Sequence, residues 1–205
     1  MHCVSDLGRV PPGAAHLAFQ DRSACHGELL ALLAQPERGA LVDGAGRAIA
    51  ASLQSGGAVF FCGNGGSSAE ALHLVAEFVG RFRKERRPLA AIALGTNPAV
   101  SSALANDYGF AEGGLARELE ALARSGDVLV ALSTSGRSPN IVNAVAAARE
   151  RGVTSVLLCG RLRDGVPDAD YVISVDSTIV AHIQEIHAVI GHVLCEIVEQ
   201  ELGVS

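Results

Sequence analysis

Short, continuously apolar segments alternate along the chain with longer amphipathic segments. The apolar segments lie at 58–63, 89–95, 127–134, 155–160 and 171–176. Their continuous apolar character is typical of strands that are covered on both faces. The amphipathic segments between most of them predict helices at 67–83, 98–105, 114–124, 138–151 and 180–202. Two more predicted helices precede the first strand, one over 16–34 and one that ends at Gly56 and Gly57.

This order of elements predicts an α/β fold with one five-stranded parallel sheet. Parallel strands joined through helices require right-handed crossovers, which place helices on both faces of the sheet. No linker divides the chain, so we expect a single domain over 14–205 that includes the two N-terminal helices. Residues 1–13 contain Pro11 and Pro12 and are expected to form a flexible arm.

The composition is that of a globular protein. Hydrophobic residues make up 49% and charged residues 19% of the 205 residues, and the formal net charge is -6 without a basic stripe. We therefore expect no nucleic-acid partner. The chain has neither a signal-peptide pattern nor an apolar run of the roughly eighteen residues that a membrane span needs, which favours a cytoplasmic location without membrane contact. Five cysteines without a CxxC pair predict reduced, buried thiols.

The one basic cluster, RFRKERR at 81–87, follows a predicted amphipathic helix. Cations suit the C-terminal end of a helix dipole, so the simplest interpretation is a solvated helix end. Arg81 belongs to this cluster, and its position leaves two roles open. It either pairs with a phosphate or carboxylate at a site, or it is one more solvated charge.

Ligands of parallel sheets bind where the carboxyl ends of strands meet helix N-termini, so the strand exits are the most informative positions. The first strand leads into CGNGGSS, in which Gly65 and Gly66 permit a close approach of backbone to ligand. Ser67 or Ser68 can cap the following helix. A tight capped turn explains this loop as well as a ligand site does. The loop matches neither nucleotide-binding glycine motif.

The third strand leads into STSGRSPN at 133–140, immediately before a helix. Four hydroxyls surround Gly136 there, although a capped turn needs only one. Hydroxyls and unpaired helix N–H groups together form a neutral cradle for an anion, and a phosphomonoester fits it well. We therefore predict phosphate binding by Ser133, Thr134, Ser135 and Ser138.

Two helices carry residues that are suited to acid–base or metal chemistry. His73 and Glu77 are four residues apart, so they share a helix face with about 6 Å between them. By itself this is equally well a helix-stabilising surface pair. The segment HIQEIHAVIGH contains Gln184 and His192, which lie about 12 Å apart along a straight helix and about 80° around it. His187 faces away from His192, so we expect it to be a packed or interface histidine.

Four segments, GNGGSSAEALH, ALANDYGF, STSGRSPN and IQEIHAVIGH, together resemble the sugar isomerase (SIS) family. HLVAE and IQEIH make the chain similar to the phosphoheptose isomerase branch of that family. The resemblance covers roughly 45–203. It implies a flavodoxin-like α/β/α sandwich and a homotetramer that is built through the N-terminal helices, with active sites at subunit interfaces. His182 is a departure, because family members often have Arg at this position.

The resemblance also implies a reaction, the conversion of sedoheptulose 7-phosphate into D-glycero-D-manno-heptopyranose 7-phosphate through an enediol(ate). Glu77 is the candidate base and His192 the candidate acid. The expected substrate-binding residues, besides Glu77 and the four serine-loop residues, are Asn64, Gly65, Gly66, Ser67, Asn106, Asp107 and Gln184. The Asn106–Asp107 pair, expected in a loop after a helix, has ordinary turn chemistry as its alternative.

The family's metal positions, zinc in some members, match His73, Glu77, Gln184 and His192. The wide spacing of Gln184 and His192 favours carbohydrate contact over a shared ion for these two residues. Two other functions stay open. One is a non-catalytic SIS protein that binds a phosphosugar or a replication initiator, and the other is an isomerase of a different sugar phosphate. The presence of all four His, Glu and Gln residues favours an enzyme.

Overall fold

The computed structural model of the protein describes residues 15–203, apart from the side chains of 15–17, 112 and 113. The proposed arm at 1–13 therefore lies outside the described residues. The strands are β1 (Val59–Gly63), β2 (Ala91–Ala93), β3 (Val128–Ser133), β4 (Thr154–Cys159) and β5 (Tyr171–Ser174). The helices are α1 (Ala15–Leu33), α2 (Pro36–Gln54), α3 (Gly66–Val79), α4 (Pro98–Tyr108), α5 (Phe110–Gly113), α6 (Leu115–Leu122), α7 (Pro139–Glu150) and α8 (Val180–Glu201).

The five strands form one parallel sheet in the order β2-β1-β3-β4-β5. This confirms the predicted α/β architecture, and the order is that of flavodoxin-like folds. The chain order reverses between β1 and β3, so the crevice at their carboxyl ends is the expected ligand position. Gly63 is paired with Leu132 at this edge. The glycine loop and the serine loop therefore begin side by side.

Helices cover both faces of the sheet, and the residues of β1 show how the core is divided. Val59 and Phe61 belong to the apolar cluster that α2, α3 and α8 complete. Phe60 and Cys62 point to the opposite cluster, which α6 and α7 complete. All four residues are buried, because alternate side chains enter different cores. This explains why the strand segments read as continuously apolar.

Close helix packing on one face positions the later site. A Cβ atom on Gly191 would lie 2.5 Å from Leu74 Cδ2, so α8 approaches α3 at a distance that only glycine permits there. Gly191 immediately precedes His192, and Leu74 immediately follows His73. The contact therefore brings together the two helices that carry the predicted acid–base residues.

The segment after α3 corrects the interpretation of the basic cluster as a solvated helix end. The helix ends at Val79 rather than near 83, and the chain then folds back around a buried glutamate of α8. The side chains of Arg86 and Glu199 are only 4% and 5% exposed, and Arg86 Nε lies 3.1 Å from Glu199 Oε1. Glu199 is distant from Arg86 in sequence, so a local sequence pattern does not reveal that the two side chains pair.

Two further expectations concern thiols and membranes. Cys62, Cys159 and Cys195 are free and buried, which confirms the prediction for these three residues. Burial raises the pKa of the Cys62 thiol to about 12 and that of Cys159 to about 11. Within residues 15–203, no helix combines the length and the apolar character that a membrane crossing requires.

Candidate active site

The predicted acid–base residues of α3 and α8 lie together in the structure. His73, Glu77 and His192 each offer one ligand atom such that the three atoms lie within 4.8 Å of one another. His73 Nε2 is 2.8 Å from His192 Nε2, and His73 Nδ1 is 3.8 Å from Glu77 Oε1. The side chains of His73 and Glu77 are 47% and 23% exposed, so the cluster is open to a ligand.

This donor set fits a divalent metal such as zinc. Two imidazole nitrogens and a carboxylate oxygen are a common zinc ligand set, and donors on a tetrahedral ion with bonds of about 2.0–2.1 Å lie about 3.3 Å apart. The 2.8 Å between the two imidazole nitrogens therefore has to widen by about half an ångström.

Phe82 is a site neighbour that the sequence interpretation missed. Its ring stacks on the His192 imidazole, with 5.3 Å between centroids and 28° between planes. The backbone N–H of Phe82 donates to the Glu199 carboxylate at 3.2 Å. Arg86, the partner of Glu199, also donates to the backbone carbonyl of Glu77 at 2.7 Å. One buried ion pair thus supports both proposed catalytic residues.

Gln184 lies at the glycine loop. A Cβ atom on Gly66 would be 2.6 Å from Gln184 Nε2, so the amide of Gln184 packs directly against the backbone of this glycine. Gln184 Nε2 donates to Ser67 Oγ at 3.5 Å, and Ser67 is buried. The expectation that Ser67 or Ser68 caps α3 is wrong. The helix begins at Gly66 with Gly65 as N-cap at φ 55°, without a side-chain cap.

Asn64 connects the glycine loop to the helix after the serine loop. Asn64 Nδ2 donates to Asn140 Oδ1 at 2.9 Å, and Asn140 Nδ2 donates back to Asn64 Oδ1 at 2.8 Å. Asn140 is buried and belongs to the first turn of α7. The sequence interpretation did not select Asn140, although it follows the serine loop directly. The reciprocal amide pair fixes the distance between the two loops.

The serine loop keeps its hydroxyls available. Ser138 is the N-cap of α7 but makes no side-chain cap bond, and its Oγ lies 3.5 Å from Ser133 Oγ. Ser135 Oγ accepts a hydrogen bond from the Arg137 backbone N–H at 3.2 Å, so its proton is free to be donated. Gly136 turns the chain at φ 66°. The N-terminus of α7 therefore meets a group of hydroxyls, as the cradle prediction requires.

Asn106 and Asp107 do not lie in a loop, which corrects the prediction. They occupy the last turn of α4, which continues to Tyr108 and ends at Gly109 with φ 82°. A glycine with positive φ is a common helix terminator, and the polar pair just before it does not break the helix. Both side chains are exposed, and Asn106 Nδ2 donates to Asp107 Oδ1 at 2.8 Å. Within residues 15–203, no hydrogen bond or ion pair joins them to the other site residues.

Three other residues that the sequence analysis considered lie outside the cluster. His187 is fully buried, as expected for a packed histidine, and burial lowers its pKa to about 4. His182 is also buried and contacts α1, where its ring lies edge-on to His26 at 5.5 Å. Arg81 is exposed and forms a 3.7 Å ion pair with Glu85.

Glu70 is a second residue that the sequence interpretation missed. It lies on α3 one turn before His73, and its Oε1 atom is buried without a hydrogen-bond partner among the described residues. Burial raises the pKa of this carboxyl to about 8. Glu70 is therefore mostly protonated at neutral pH. Its place in an amphipathic helix gave no sign of this burial.

Comparison with known proteins identifies the class of protein to which this fold and this site belong. The family model for the SIS domain matches residues 28–160. A phosphoheptose isomerase from Solidesulfovibrio magneticus is 51% identical over 162 residues, which cover 79% of each chain. One from Rhodospirillum rubrum is 48% identical over 80% of this chain and 86% of the relative. The chain is thus a SIS-domain protein.

Solved structures agree with these relatives. The phosphoheptose isomerase of Neisseria gonorrhoeae superposes with a TM-score of 0.78 at 34% identity, covering 92% of this chain and 98% of that one. The protein belongs to the phosphoheptose isomerase family. This confirms the family, the fold and the enzyme class that the sequence motifs predicted.

Proposed function

We propose that the protein is an aldose–ketose isomerase that converts sedoheptulose 7-phosphate into D-glycero-D-manno-heptopyranose 7-phosphate through an enediol(ate). The observation that carries this proposal is the cluster of His73, Glu77 and His192, whose first two members lie on the helix that follows the glycine loop. It lies in a chain that is 51% identical to a phosphoheptose isomerase. A carboxylate and an imidazole on different helices are the two groups that proton transfer between neighbouring carbons needs.

Glu77 is the base in this proposal, and His192 is the acid. Glu77 removes a proton from C1 of the ketose, and His192 supplies a proton to the oxygen on the other side of the developing enediol(ate). The two helices meet at Gly191, whose lack of a side chain sets their separation. Phe82 and Arg86 support the two groups through a ring stack and a bond to the Glu77 carbonyl, respectively.

The phosphate and the hydroxyls of the substrate bind around this cluster. Ser133, Thr134, Ser135 and Ser138 hold the phosphate at the N-terminus of α7, where hydroxyl protons and helix N–H groups are available. The sugar chain then extends towards the glycine loop. It is oriented there by Asn64, Gly65, Gly66, Ser67 and Gln184, with Asn106 and Asp107 as further contacts.

A divalent metal, zinc by preference, is part of the proposal. His73, Glu77 and His192 offer the donor atoms that such an ion requires within 4.8 Å of one another, and Gln184 is the proposed fourth ligand. When bound, the metal would polarise the substrate oxygens and stabilise an enediolate. Gln184 lies against Gly66 in the structure, so its role as sugar ligand does not depend on the metal.

We further propose a cytoplasmic homotetramer with active sites at subunit interfaces. The exposure of His73 and of the Asn106–Asp107 pair leaves room for a neighbouring subunit at the site. An apolar depression between α1, α2 and α8, which Leu30, Val189 and Val193 line, offers a surface for association. Light scattering of the purified protein gives the subunit number directly.

Turnover of sedoheptulose 7-phosphate, followed by NMR with and without a chelator, tests this function. We expect conversion by the untreated protein, loss of conversion after metal removal, and recovery with zinc. Fructose 6-phosphate and arabinose 5-phosphate serve as comparison substrates and should react more slowly. Correctly assembled protein that converts sedoheptulose 7-phosphate under neither condition would contradict the proposal and favour a non-catalytic binding role.

A further inference from the structure

A cavity of about 150 Å³ lies beside the serine loop, on the side of β4 and β5. Its walls include Thr134 and Ser135, two of the proposed phosphate ligands, together with Arg137, Arg161 and Arg163. The volume corresponds to roughly five molecules of liquid water. It is large enough to hold a phosphate group. The phosphate and the arginines would therefore share one space.

The three arginines differ in whether their charge is compensated. Arg161 is bound to Asp176, with 2.6 Å between Nε and Oδ1 and a second bond to the Asp176 carbonyl at 3.3 Å. Arg137 and Arg163 form no ion pair with any acidic side chain in the described part of the chain. Two uncompensated positive charges in one small cavity favour an anion between them.

The remaining polar wall consists mainly of hydrogen-bond donors. Ser177 Oγ accepts a bond from the Ile179 backbone N–H at 3.1 Å, so its own proton is available, as it is for Ser135. The long helix α8 begins at Val180 on the cavity wall, and its N-cap residue has no side-chain cap. The first N–H groups of α8 and its helix dipole also favour an anion in the cavity.

We propose that Arg137 and Arg163 bind the substrate phosphate together with the serine-loop hydroxyls and select for a dianionic phosphate. The cradle that the sequence predicts as neutral thus carries two cations. This inference rests on the proposed function insofar as that function places the phosphate at Thr134 and Ser135. Guanidinium groups bind phosphate oxygens through strong charge-assisted bonds, whereas hydroxyls alone distinguish the mono- and dianion only weakly.

The test compares Arg137→Ala and Arg163→Ala with Arg124→Ala. Arg124 is an exposed arginine before β3, at the opposite end of the sheet, so its loss changes net charge equally without affecting the cavity. Each cavity variant should raise KM for sedoheptulose 7-phosphate about tenfold, and the double variant about a hundredfold. The turnover number kcat should stay within about twofold, because the reacting carbons are elsewhere. Substitution by Lys should restore part of the affinity.

Binding of inorganic phosphate, measured by calorimetry, separates this inference from the isomerase proposal. The two Ala variants should bind inorganic phosphate about tenfold more weakly and with a smaller dependence on salt. Unchanged phosphate affinity and KM in both variants would overturn the inference, even with normal isomerase activity. Arginine-dependent phosphate binding without conversion of the heptose phosphate would support the subsite and contradict only the isomerase assignment.

Discussion

Replacing Glu199 by Ala tests whether the buried ion pair supports the site. The Glu199 carboxylate accepts bonds from the backbone N–H groups of Phe82, Arg83 and Lys84 at 3.2, 3.2 and 3.1 Å and from Arg86 Nε at 3.1 Å. The Arg86 side chain is 4% exposed, so the substitution leaves a buried, unpaired guanidinium. Breaking such a pair costs about 3–5 kcal/mol of unfolding free energy.

Glu196→Ala is the matched control. Glu196 lies on the same helix and pairs at 2.9 Å with Arg83 of the same loop, but the Arg83 and Glu196 side chains are 67% and 37% exposed. Its loss should cost about 0–1 kcal/mol. Urea unfolding at a fixed protein concentration measures both values, and kcat of Glu199→Ala should fall because Phe82 loses its anchor beneath His192. Equal stability of the two variants would refute the argument.

Three other substitutions test packing and protonation. Gly191→Ala should destabilise the protein by about 1–3 kcal/mol, because its Cβ would lie 2.5 Å from Leu74 Cδ2, whereas Gly27→Ala, with open space around it, should not. Because the pKa of His187 is lowered from 6.5 to about 4, the unfolded chain binds its proton first, and stability is lost as pH falls between these values. In unfolding measurements, His187→Gln should remove up to about 3 kcal/mol of this acid-dependent loss of unfolding free energy. If the unfolding free energy of the variant fell with pH as steeply as that of wild type, the assignment to His187 would be contradicted. Glu70 has the opposite pH dependence. Its pKa is raised from 4.5 to about 8, so stability is lost as pH rises between these values. Glu70→Gln should therefore become more stable than wild type towards pH 8.

The sheet and the pairing of His73 with Glu77 were predictable because both follow from local periodicity. Continuous apolar segments marked the strands, and the spacing of His73 and Glu77 placed both on one face of α3. The rule that ligands bind at strand exits predicts ligand-binding loops at Gly65 and Ser135. The meeting of His192 with His73, by contrast, was implied only by resemblance, because residues 119 positions apart share no local pattern.

The features that the sequence did not predict depend on contacts between distant segments. Arg86 appears within a basic run, and only the fold shows that Glu199, 113 residues later, compensates its charge. Arg137 and Arg163 follow different strands and meet at one cavity only when the sheet is assembled. The end of α4 beyond Asn106 was misplaced because polar residues in a last helical turn resemble the start of a loop.

The kinetics of Glu77→Gln and His192→Gln test the central claim most directly. Each change keeps the size of the side chain close to the original but removes the proton-transferring group. With sedoheptulose 7-phosphate and metal-replete protein, we expect kcat to fall by about 10²–10⁴-fold in each variant, while oligomeric state and unfolding temperature are retained. Wild-type rates in either variant, with the same assembly, would contradict the assignment of Glu77 as base and His192 as acid.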